Sequence, residues 1–523
     1  MVSNLLESLD TWADLQITQQ DVEFLNNYLF EQEIPLATNE LALALIHERN
    51  RAERLALRER REGSGRIYVP KDTHQVGDEL AFPNLAWKRG KVTEARPGAN
   101  PEIGAFSVLT VDLDDGSRRL FASQLAHHPL NDNPASDEGE GFDAETIARE
   151  YGNEINQKLE AAFSGDAQLV RIAGRWFPRA LLIDVREGNL NLAEAVLDMA
   201  AGEPMSPSAL LKDIALPEGE NPKLTEFSLN FALQEDGRFD EVGPAGEVLW
   251  CLKRLEPDDV RNAPLFLQYD PIEYDRSLLD DQMLKLASEL DDELSEIDDA
   301  SDLFAEEASI ALIYPHLRAG TLPVSTRVQS LFPTAYETPR IRFTLVDGKT
   351  RQRIPAWIVR EHRYVSGLQD WYRANGLMPG SLVTIRRSDA PGEVVIEAQT
   401  YRATKDWMRT AIVGADGGVV FAMLKQAVSA EFNDRMAFAI PSFDVVDALW
   451  TNSRKRLFEK LVIDLIRELS KLTPQGHVHA QELYAAVNII HRTPPAPLFA
   501  LLASRSDLFT HVGDLHFRLR EAE

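Results

Sequence analysis

The sequence predicts a multidomain α+β protein assembled from several small folding units. The chain has 523 residues, and single domains usually contain about 100–200 residues. Apolar residues recur at helical spacing near both ends, whereas residues 75–128 and 338–402 alternate between apolar and polar residues as β-strands do. One order of elements, in which helices precede a strand, a turn and a strand, occurs twice.

This repeated order ends in two similar stretches, RFDEVGPAGEVLWCL at 238–252 and LFTHVGDLHFRL at 508–519. Both contain Phe, a Val-Gly pair, a turn and a final Leu. Three helix patterns precede each stretch, with proline and serine residues at the predicted helix starts. Three helices followed by a hairpin predict a winged helix-turn-helix at each place. The shared residues are those that packing and turn geometry require.

Residues 64–130 predict a small antiparallel β-barrel. Four alternating stretches, VGDELAF, KRGKVTEAR, FSVLTVDL and SRRLFAS, are separated by Gly, Pro and Asp-Gly turns. Asp115-Gly116 lies between two of them and is typical of a tight hairpin turn. A second set of alternating stretches, interrupted by the short helix pattern VSGLQDWYRANGL, fills residues 338–402.

These patterns divide the chain into consecutive segments. The predicted order is a helical region at 1–63, a β-barrel at 64–130, a linker at 131–144, a lead-in and winged helix at 145–256, an acidic helical connector at 257–320, a basic β domain at 321–445 and a second winged helix at 446–523.

The net charge of −28 is unevenly distributed along the chain. Residues 256–308 contain 18 acidic and 3 basic side chains, whereas residues 338–410 contain 13 basic and 7 acidic side chains. The overall charge disfavours nonspecific coating of nucleic acid, because phosphate repels an acidic surface. A basic domain beside an acidic segment therefore requires each domain to be interpreted separately.

Composition also predicts the compartment. The single cysteine, Cys251, excludes an internal disulfide and a cysteine metal cage, which fits a reducing cytoplasm. The first residues lack the basic start and apolar core of a signal peptide. No apolar run approaches the roughly 20 residues of a membrane helix. We expect a cytoplasmic protein with no membrane partner.

Residues 190–256 resemble the HARE-type winged helix of the delta subunit of bacterial RNA polymerase. The resemblance depends on GEPMSPSALLKD, FSLNFALQEDGRF and VLWCL. That subunit also continues into an acidic stretch, which implies a bacterial transcription partner. The acidic stretch here carries an apolar stripe of Met283, Leu286, Leu290, Leu294 and Ile297. We therefore expect a packed or partner-binding helix within 281–308.

Residues 338–402 resemble the DNA-binding pseudobarrel shared by plant transcription factors and some restriction enzymes. The run IPAWIVREHRYVSGLQDWYRANGLMPGSLVTIRR carries the resemblance, although Ser381 replaces the usual acidic residue after Gly380. This resemblance implies DNA contacts from the strands and their turns.

Cations in and around these domains are the candidate nucleic-acid contacts, because Arg and Lys bind phosphate and base edges. The candidates in the basic domain are Arg340, Arg342, Lys349, Arg351, Arg353, Arg360, Arg363, Arg386 and Arg387. Those in the C-terminal winged helix are Arg454, Lys455, Arg456 and Arg492. An ordinary solvated surface or a docking face for the acidic segment is the alternative for the barrel arginines. Trp371 and Tyr372 are candidates for base stacking or for the core.

The third helices of both winged units are poor candidates for reading DNA. The helix at 224–236 offers Asn230 and Gln234 but is otherwise acidic, and APLFALLAS in the C-terminal unit is apolar. Docking or structural roles are the alternative for both helices.

Motifs for catalysis or cofactor binding are missing, so no catalytic, cofactor or metal residue is assigned. Five histidines, His477, His479, His491, His511 and His516, lie near the C-terminus, where we expect capping and surface roles.

We expect a noncatalytic regulatory protein that binds DNA or the transcription machinery, with RNA polymerase or another protein as a partner of the helix at 281–308. The alternatives are a protein-binding scaffold and a nuclease or modification subunit. Docking of the acidic segment onto the basic barrel is a further hypothesis and would inhibit DNA binding.

Overall fold

The computed structural model describes residue 12 and residues 15–62, 66–85, 88–98, 100, 104–131, 143–216, 221–296, 305–415, 417–453 and 456–520. The predicted mixed α+β class is confirmed, with several separate sheets. Two compact units are present, one formed by residues 1–171 and 175–182 and the other by residues 172–174 and 183–523. None of the helices in these ranges has the length and apolar content required to cross a membrane.

Three long helices supply most of the apolar core of the first unit: α1 (Gln19–Gln32), α2 (Thr38–Glu62) and α3 (Ala144–Phe163). Thr18 and Asp21 cap the first turn of α1 reciprocally, which satisfies backbone N–H groups at that end. Leu25, Leu41 and Ile155 are buried together where the helices pack. A small sheet borders them, in the order β1 (Leu36–Ala37), β8 (Arg175–Pro178) and β7 (Leu169–Ile172).

The first unit also contains a five-stranded sheet. Its strands follow chain order: β2 (Arg66–Ile67), β3 (Glu79–Phe82), β4 (Lys88–Pro97), β5 (Ser107–Leu113) and β6 (Arg118–Ser123). The β5–β6 hairpin turns at Gly116, which has a φ of 79°, as the Asp-Gly pair predicts. The backbone N–H of Leu125 donates to the carbonyl of Pro70, so the chain after β6 returns to the segment after β2.

The second unit begins with a group of short elements at residues 187–252. They are α4 (Glu187–Met199), α5 (Pro207–Leu210), α6 (Pro222–Glu235), β9 (Phe239–Glu241) and β10 (Trp250–Leu252). Met205 forms an isolated bridge with Trp250, which adds a minimal strand beside β10. The aromatic rings of Phe239 and Trp250 are buried in the core of this group.

The acidic connector is less helical than the sequence predicts. Among its described residues before 297, the α-helices are a short one, α7 (Asp258–Arg261), and a ten-residue one, α8 (Asp281–Leu290). Asp291 ends α8 in the left-handed conformation, with a φ of 49°, so the predicted helix over 281–308 is wrong at residues 291–296 and at Glu307, where a strand begins. Residues 297–304, including Ile297 of the predicted stripe, lie outside the described residues.

A seven-stranded half-barrel follows the connector. It is built from β11 (Glu307–Ala311), α9 (Tyr314–Ala319), β12 (Thr321–Pro323), β13 (Arg340–Asp347), β14 (Arg353–Val359), β15 (Tyr364–Ser366), α10 (Gln369–Ala374), β16 (Leu382–Arg387) and β17 (Glu393–Glu397). The strand order is β11-β16-β17-β13-β14-β15-β12, and β13 pairs with β17 in parallel. The sheet thus starts at Glu307, within the segment that the sequence assigns to the connector.

A long two-stranded ribbon, β18 (Thr400–Val413) and β19 (Val419–Ala430), leaves the half-barrel. The C-terminal elements follow it: α11 (Phe443–Ser453), α12 (Phe458–Ser470), β20 (Val478–His479), α13 (Ala480–Ile490), α14 (Pro495–Ser504), β21 (Phe509–Gly513) and β22 (His516–Leu519). The three short strands are ordered β20-β22-β21. Ala411 and Phe421 of the ribbon share one apolar cluster with α12, α13 and α14.

Candidate nucleic-acid interface

Two of the candidate arginines on β13 bind neighbouring parts of the second unit. Arg340 Nη1 lies 2.8 Å from Asp240 Oδ2 and 3.4 Å from Glu256 Oε2. The guanidinium of Arg342 lies 5.5 Å from the ring centre of Trp357. Burial lowers the pKa of Arg342 from its usual value. The Arg340 side chain therefore fixes the hairpin of β9 and β10 against the half-barrel, whereas the Arg342 side chain packs on Trp357 within the half-barrel.

Arg363 and Arg360, at the turn between β14 and β15, also bond to the protein itself. Arg363 donates to the carbonyl of Ser295 at 2.9 Å, and burial lowers its pKa. Arg360 donates to the carbonyl of Thr338 at 2.8 Å. Arg363 therefore holds the end of the acidic connector, whereas the exposed Arg360 retains hydrogen-bonding capacity toward solvent.

Arg386 and Arg387 lie at the end of β16. Arg386 is paired with Glu397 at 3.3 Å and with Glu307 at 3.6 Å across adjacent strands. Arg387 is exposed and donates to the carbonyl of Ser330 at 2.8 Å.

The turn between β13 and β14 carries Lys349, Arg351 and Arg353, all of which are exposed. Asp347 organises this turn by accepting from the backbone N–H of Lys349 at 2.8 Å and of Thr350 at 2.6 Å. Burial alone would raise the pKa of Asp347, but these bonds and one from the indole of Trp371 lower it below its usual value. The turn is therefore held by an ionised carboxylate while its cations face solvent.

We name this group of three cations the turn cluster. Arg353 is paired with Glu393 on β17. Lys349 Nζ donates to the carbonyl of Ala398 at 2.6 Å and to Thr400 Oγ1 at 3.0 Å. The turn cluster consequently lies against the base of the ribbon.

Trp371 and Tyr372 belong to the core of the half-barrel. Both rings are buried, and the Tyr372 hydroxyl donates to the carbonyl of Thr321 at 2.7 Å. Ser381, where the sequence resemblance predicts an acidic residue, is buried and accepts from the backbone N–H of Met378 at 2.9 Å. Its hydroxyl thus supplies the oxygen acceptor that this turn uses.

Arg492 is not available to a phosphate. Its guanidinium is 0% exposed and lies 2.7 Å from both Asp292 Oδ1 and Glu293 Oε1. His316 Nε2 on α9 is 3.1 Å from the same Glu293 carboxylate. Burial would raise the pKa of Glu293, but Arg492 and His316 hold it well below its usual value. The predicted contact at Arg492 is therefore corrected to a buried ion-pair cluster, because its charge is neutralised by the connector.

The same connector covers α14. Met283 and Leu286 of α8 share an apolar cluster with Leu498 of α14, and the two helices are in contact. Leu498, Phe499 and Leu502 are all buried. In this structure α14 is covered by α8 of the same chain, so it does not present a surface to a DNA groove.

The remaining sequence candidates in the two helical groups differ in their surroundings. Asn230 is buried and accepts from the indole N–H of Trp250 at 2.8 Å, so it supports the core. Arg454 and Lys455 lie outside the described residues. Arg456 is exposed beside a cavity of about 440 Å³ between the ribbon tip and α12.

The histidine prediction of a capping role is confirmed at His479. Its Nδ1 accepts from the backbone N–H of Gln481 at the start of α13. Across the described ranges, no three His, Cys, Asp or Glu side chains are placed to hold one metal ion.

Sequence reasoning missed the exposed middle of the ribbon. Lys405, Trp407 and Lys425 are exposed there, and Tyr401 and Arg402 are exposed at the base of the ribbon. The stretch TYRATKDW already interleaves aromatic and basic residues, a pattern typical of surfaces that bind nucleic acid. Its alternation was obscured because few of its residues are apolar, so the usual strand signal was weak.

No family model, curated protein or solved structure matches this chain.

Proposed function

We propose that this chain is a noncatalytic regulatory protein that associates with nucleic acid through the turn cluster of the half-barrel. The observation that carries the proposal is the arrangement of Lys349, Arg351 and Arg353. Their turn is fixed by Asp347, and all three side chains are exposed. A fixed turn that presents cations outward loses little conformational freedom when it binds phosphate.

The proposal assigns different roles to the other modules. The groups at 187–252 and 458–519 are winged helices that serve as docking modules within the chain. Their element order, helix, strand or bridge, two helices and two strands, supports this assignment. The half-barrel corresponds to the pseudobarrel of the sequence resemblance, and DNA is the expected ligand class.

A binding assay with the full-length protein tests this proposal. We expect a labelled 30-base-pair duplex to bind with an affinity that falls as salt increases, because each phosphate contact releases counterions. The variant Lys349→Glu/Arg351→Glu should weaken binding at least tenfold. A matched control, Lys212→Glu/Lys253→Glu, changes the same number of exposed charges elsewhere in the second unit and should change affinity less than twofold.

Equal losses in the two variants would contradict the proposal, since they would indicate a nonspecific effect of net charge. Undiminished binding in Lys349→Glu/Arg351→Glu would place any interface elsewhere.

A second candidate function, a protein-binding scaffold, is favoured by the covered α14. If the protein is a scaffold, its winged helices bind only other protein segments. A polymerase or other protein that binds through α8 would have to compete with α14 for Met283 and Leu286. Substitution of the exposed residues Gln282 and Lys285 by Glu would then leave partner binding unchanged, whereas a partner that recognises the solvent face of α8 would bind the variant more weakly.

A further inference from the structure

The ribbon has one open face, defined by the pairing of its strands. Trp407 is directly opposite Lys425, and Lys405 is directly opposite Ala427. Residues two apart on a strand share a face, so Lys405, Trp407, Lys425 and Met423 lie side by side. We name these four residues the ribbon face. It carries one large aromatic ring and two lysine side chains on the same face.

The ribbon face is accessible. Trp407 is 58% exposed and Met423 is 41% exposed. Lys425 Nζ lies 5.4 Å from the centre of the Trp407 ring, a cation–π contact at a solvent-exposed site. An exposed tryptophan of this size is an informative feature, because large aromatic side chains are highly buried on average.

The opposite face of the ribbon is covered in part, since Leu424, directly opposite Met408, is 39% exposed. Met408 and Val428 are buried together with Ala437 and Ala439, in a cluster that also contacts Met378 and Phe432. This face also carries Asp406, whose directly opposite neighbour is Gln426. The Asp406 carboxylate accepts from the backbone N–H of Trp407 at 2.7 Å, so it is engaged by the backbone of its own strand.

Both ends of the ribbon are anchored. Ala430 is part of the half-barrel core, whereas Ala411 and Phe421 are part of the C-terminal core. The middle is thus held as a short bridge with a fixed backbone. Arg402 is exposed at its base, next to Thr400, which accepts from Lys349 of the turn cluster. Cations consequently continue from the half-barrel onto the ribbon.

We propose that the ribbon face binds single-stranded nucleic acid, with an unpaired base stacked on Trp407 and its flanking phosphates bound by Lys405 and Lys425. This inference rests on the proposed function and extends its nucleic-acid surface from the turn cluster to the ribbon face. Every base has a π-face, but bases within a duplex stack on one another and do not expose it. The positive charges complement the phosphates, whereas the chain as a whole carries −28.

Fluorescence anisotropy with the full-length protein tests the inference. The probes are labelled dT20, labelled U20 and a 20-base-pair duplex, each titrated at several salt concentrations. Trp407→Ala should weaken binding of the single strands about 5- to 150-fold, the range given by loss of one base–aromatic stack. It should change duplex binding less than twofold. Trp407→Phe should recover part of the affinity. Met199→Ala removes an 82% exposed apolar side chain outside the ribbon and serves as a control, with both affinities unchanged.

Charge variants give a second readout. Lys405→Gln/Lys425→Gln should reduce the slope of log affinity against log salt by about 1.4 for single strands, because two phosphate contacts are lost. The two single-stranded probes distinguish the sources: tighter binding of U20 than of dT20 would identify RNA as the ligand, and the reverse would identify DNA.

The inference is overturned if Trp407→Ala leaves single-strand affinity unchanged, as it would if the face binds a protein. It is also overturned if single-strand and duplex affinities fall equally. Loss of binding in Lys349→Glu/Arg351→Glu together with normal binding in Trp407→Ala would remove only this inference. Undiminished binding in both variants would remove the proposed function as well.

Discussion

The two helical groups of the second unit have the same order of elements but attach to the rest of the unit through different faces. In the group at 187–252, the hairpin makes the contact: the carbonyl of Val242 accepts from the backbone N–H of Arg342 at 2.7 Å. In the group at 458–519, the helices make it: α14 packs on α8, α13 on α9 and α12 on β19, and Arg492, between α13 and α14, binds the connector.

This difference separates the residues that specify the fold from those that specify docking. Phe239 and Phe509, which occupy equivalent positions at the start of the hairpin, are both buried. Val242 and Val512 are also equivalent, yet Val242 is 0% exposed and Val512 is 44% exposed. The repeated sequence therefore encodes a common core. Which surface of each group is covered depends on the part of the chain that packs against it.

The largest expected effect comes from breaking the contact made by the C-terminal group. Arg492→Ala leaves Asp292 and Glu293 buried without their cation, which should lower the free energy of unfolding by about 3–5 kcal/mol. Native-state hydrogen exchange of the α13 and α14 amides measures this loss locally. The control Arg505→Ala removes exposed pairs with Glu459 and Asp507 and should lower stability by less than about 1 kcal/mol.

A loss for Arg492→Ala no larger than that for Arg505→Ala would show that the buried cluster does not hold the connector. The two groups would then differ in contacts but not in the strength of attachment.

A smaller effect is expected at the equivalent valines. Val242→Ala removes two buried methyl groups from a cluster with Cys251 and Trp357 and should lower the free energy of unfolding by about 2 kcal/mol. Val512→Ala, at an exposed position, should change it by less than about 0.5 kcal/mol. Thermal or denaturant unfolding of both variants checks the contrast. Similar losses at the two positions would mean that the exposed hairpin of the C-terminal group packs against something in solution.

The sequence predicted the elements better than their contacts. The helices of the first unit, the hairpin at Asp115-Gly116 and the repeated element order follow from periodicity and turn residues, which act over a few positions. The neutralisation of Arg492 by Asp292 spans 200 residues along the chain, and no local pattern encodes that pairing. The end of α8 was missed because Asp291 adopts a left-handed conformation inside a run that otherwise favours helix.

The candidate site followed the same division. The sequence identified Lys349, Arg351 and Arg353 as basic but could not separate them from Arg340, which an acidic partner 100 residues away holds within the protein. Exposure and pairing are properties of the folded chain, so they became available only with the structure.

The smallest expected effect is a pH dependence of opposite sign in the two groups. In the hairpin of the group at 187–252, burial raises the pKa of Glu241 to about 7. Burial, together with Arg435 and His516, lowers the pKa of His479 at the start of α13 to about 4. A carboxyl with a raised pKa binds more protons when folded, so its group should lose stability as pH rises from about 4.5 to 7. A histidine with a lowered pKa binds fewer protons when folded, so its group should lose stability as pH falls from about 6.5 to 4.

Two substitutions separate the pH dependence of Glu241 from that of His479. One preserves the shape of the side chain, and the other preserves the helix cap. Glu241→Gln should raise the free energy of unfolding of the group at 187–252 by about 1–2 kcal/mol at pH 8, because a charged carboxylate no longer has to be buried. His479→Asn keeps an acceptor for the start of α13 and should remove the loss of stability in acid. Hydrogen exchange of the two hairpins, corrected for the intrinsic exchange rate at each pH, measures both groups in one molecule. If the stability of both groups changes with pH in the same direction, the pH dependence is a property of the whole second unit. The contrast between the two groups would then be one of contacts and not of electrostatics.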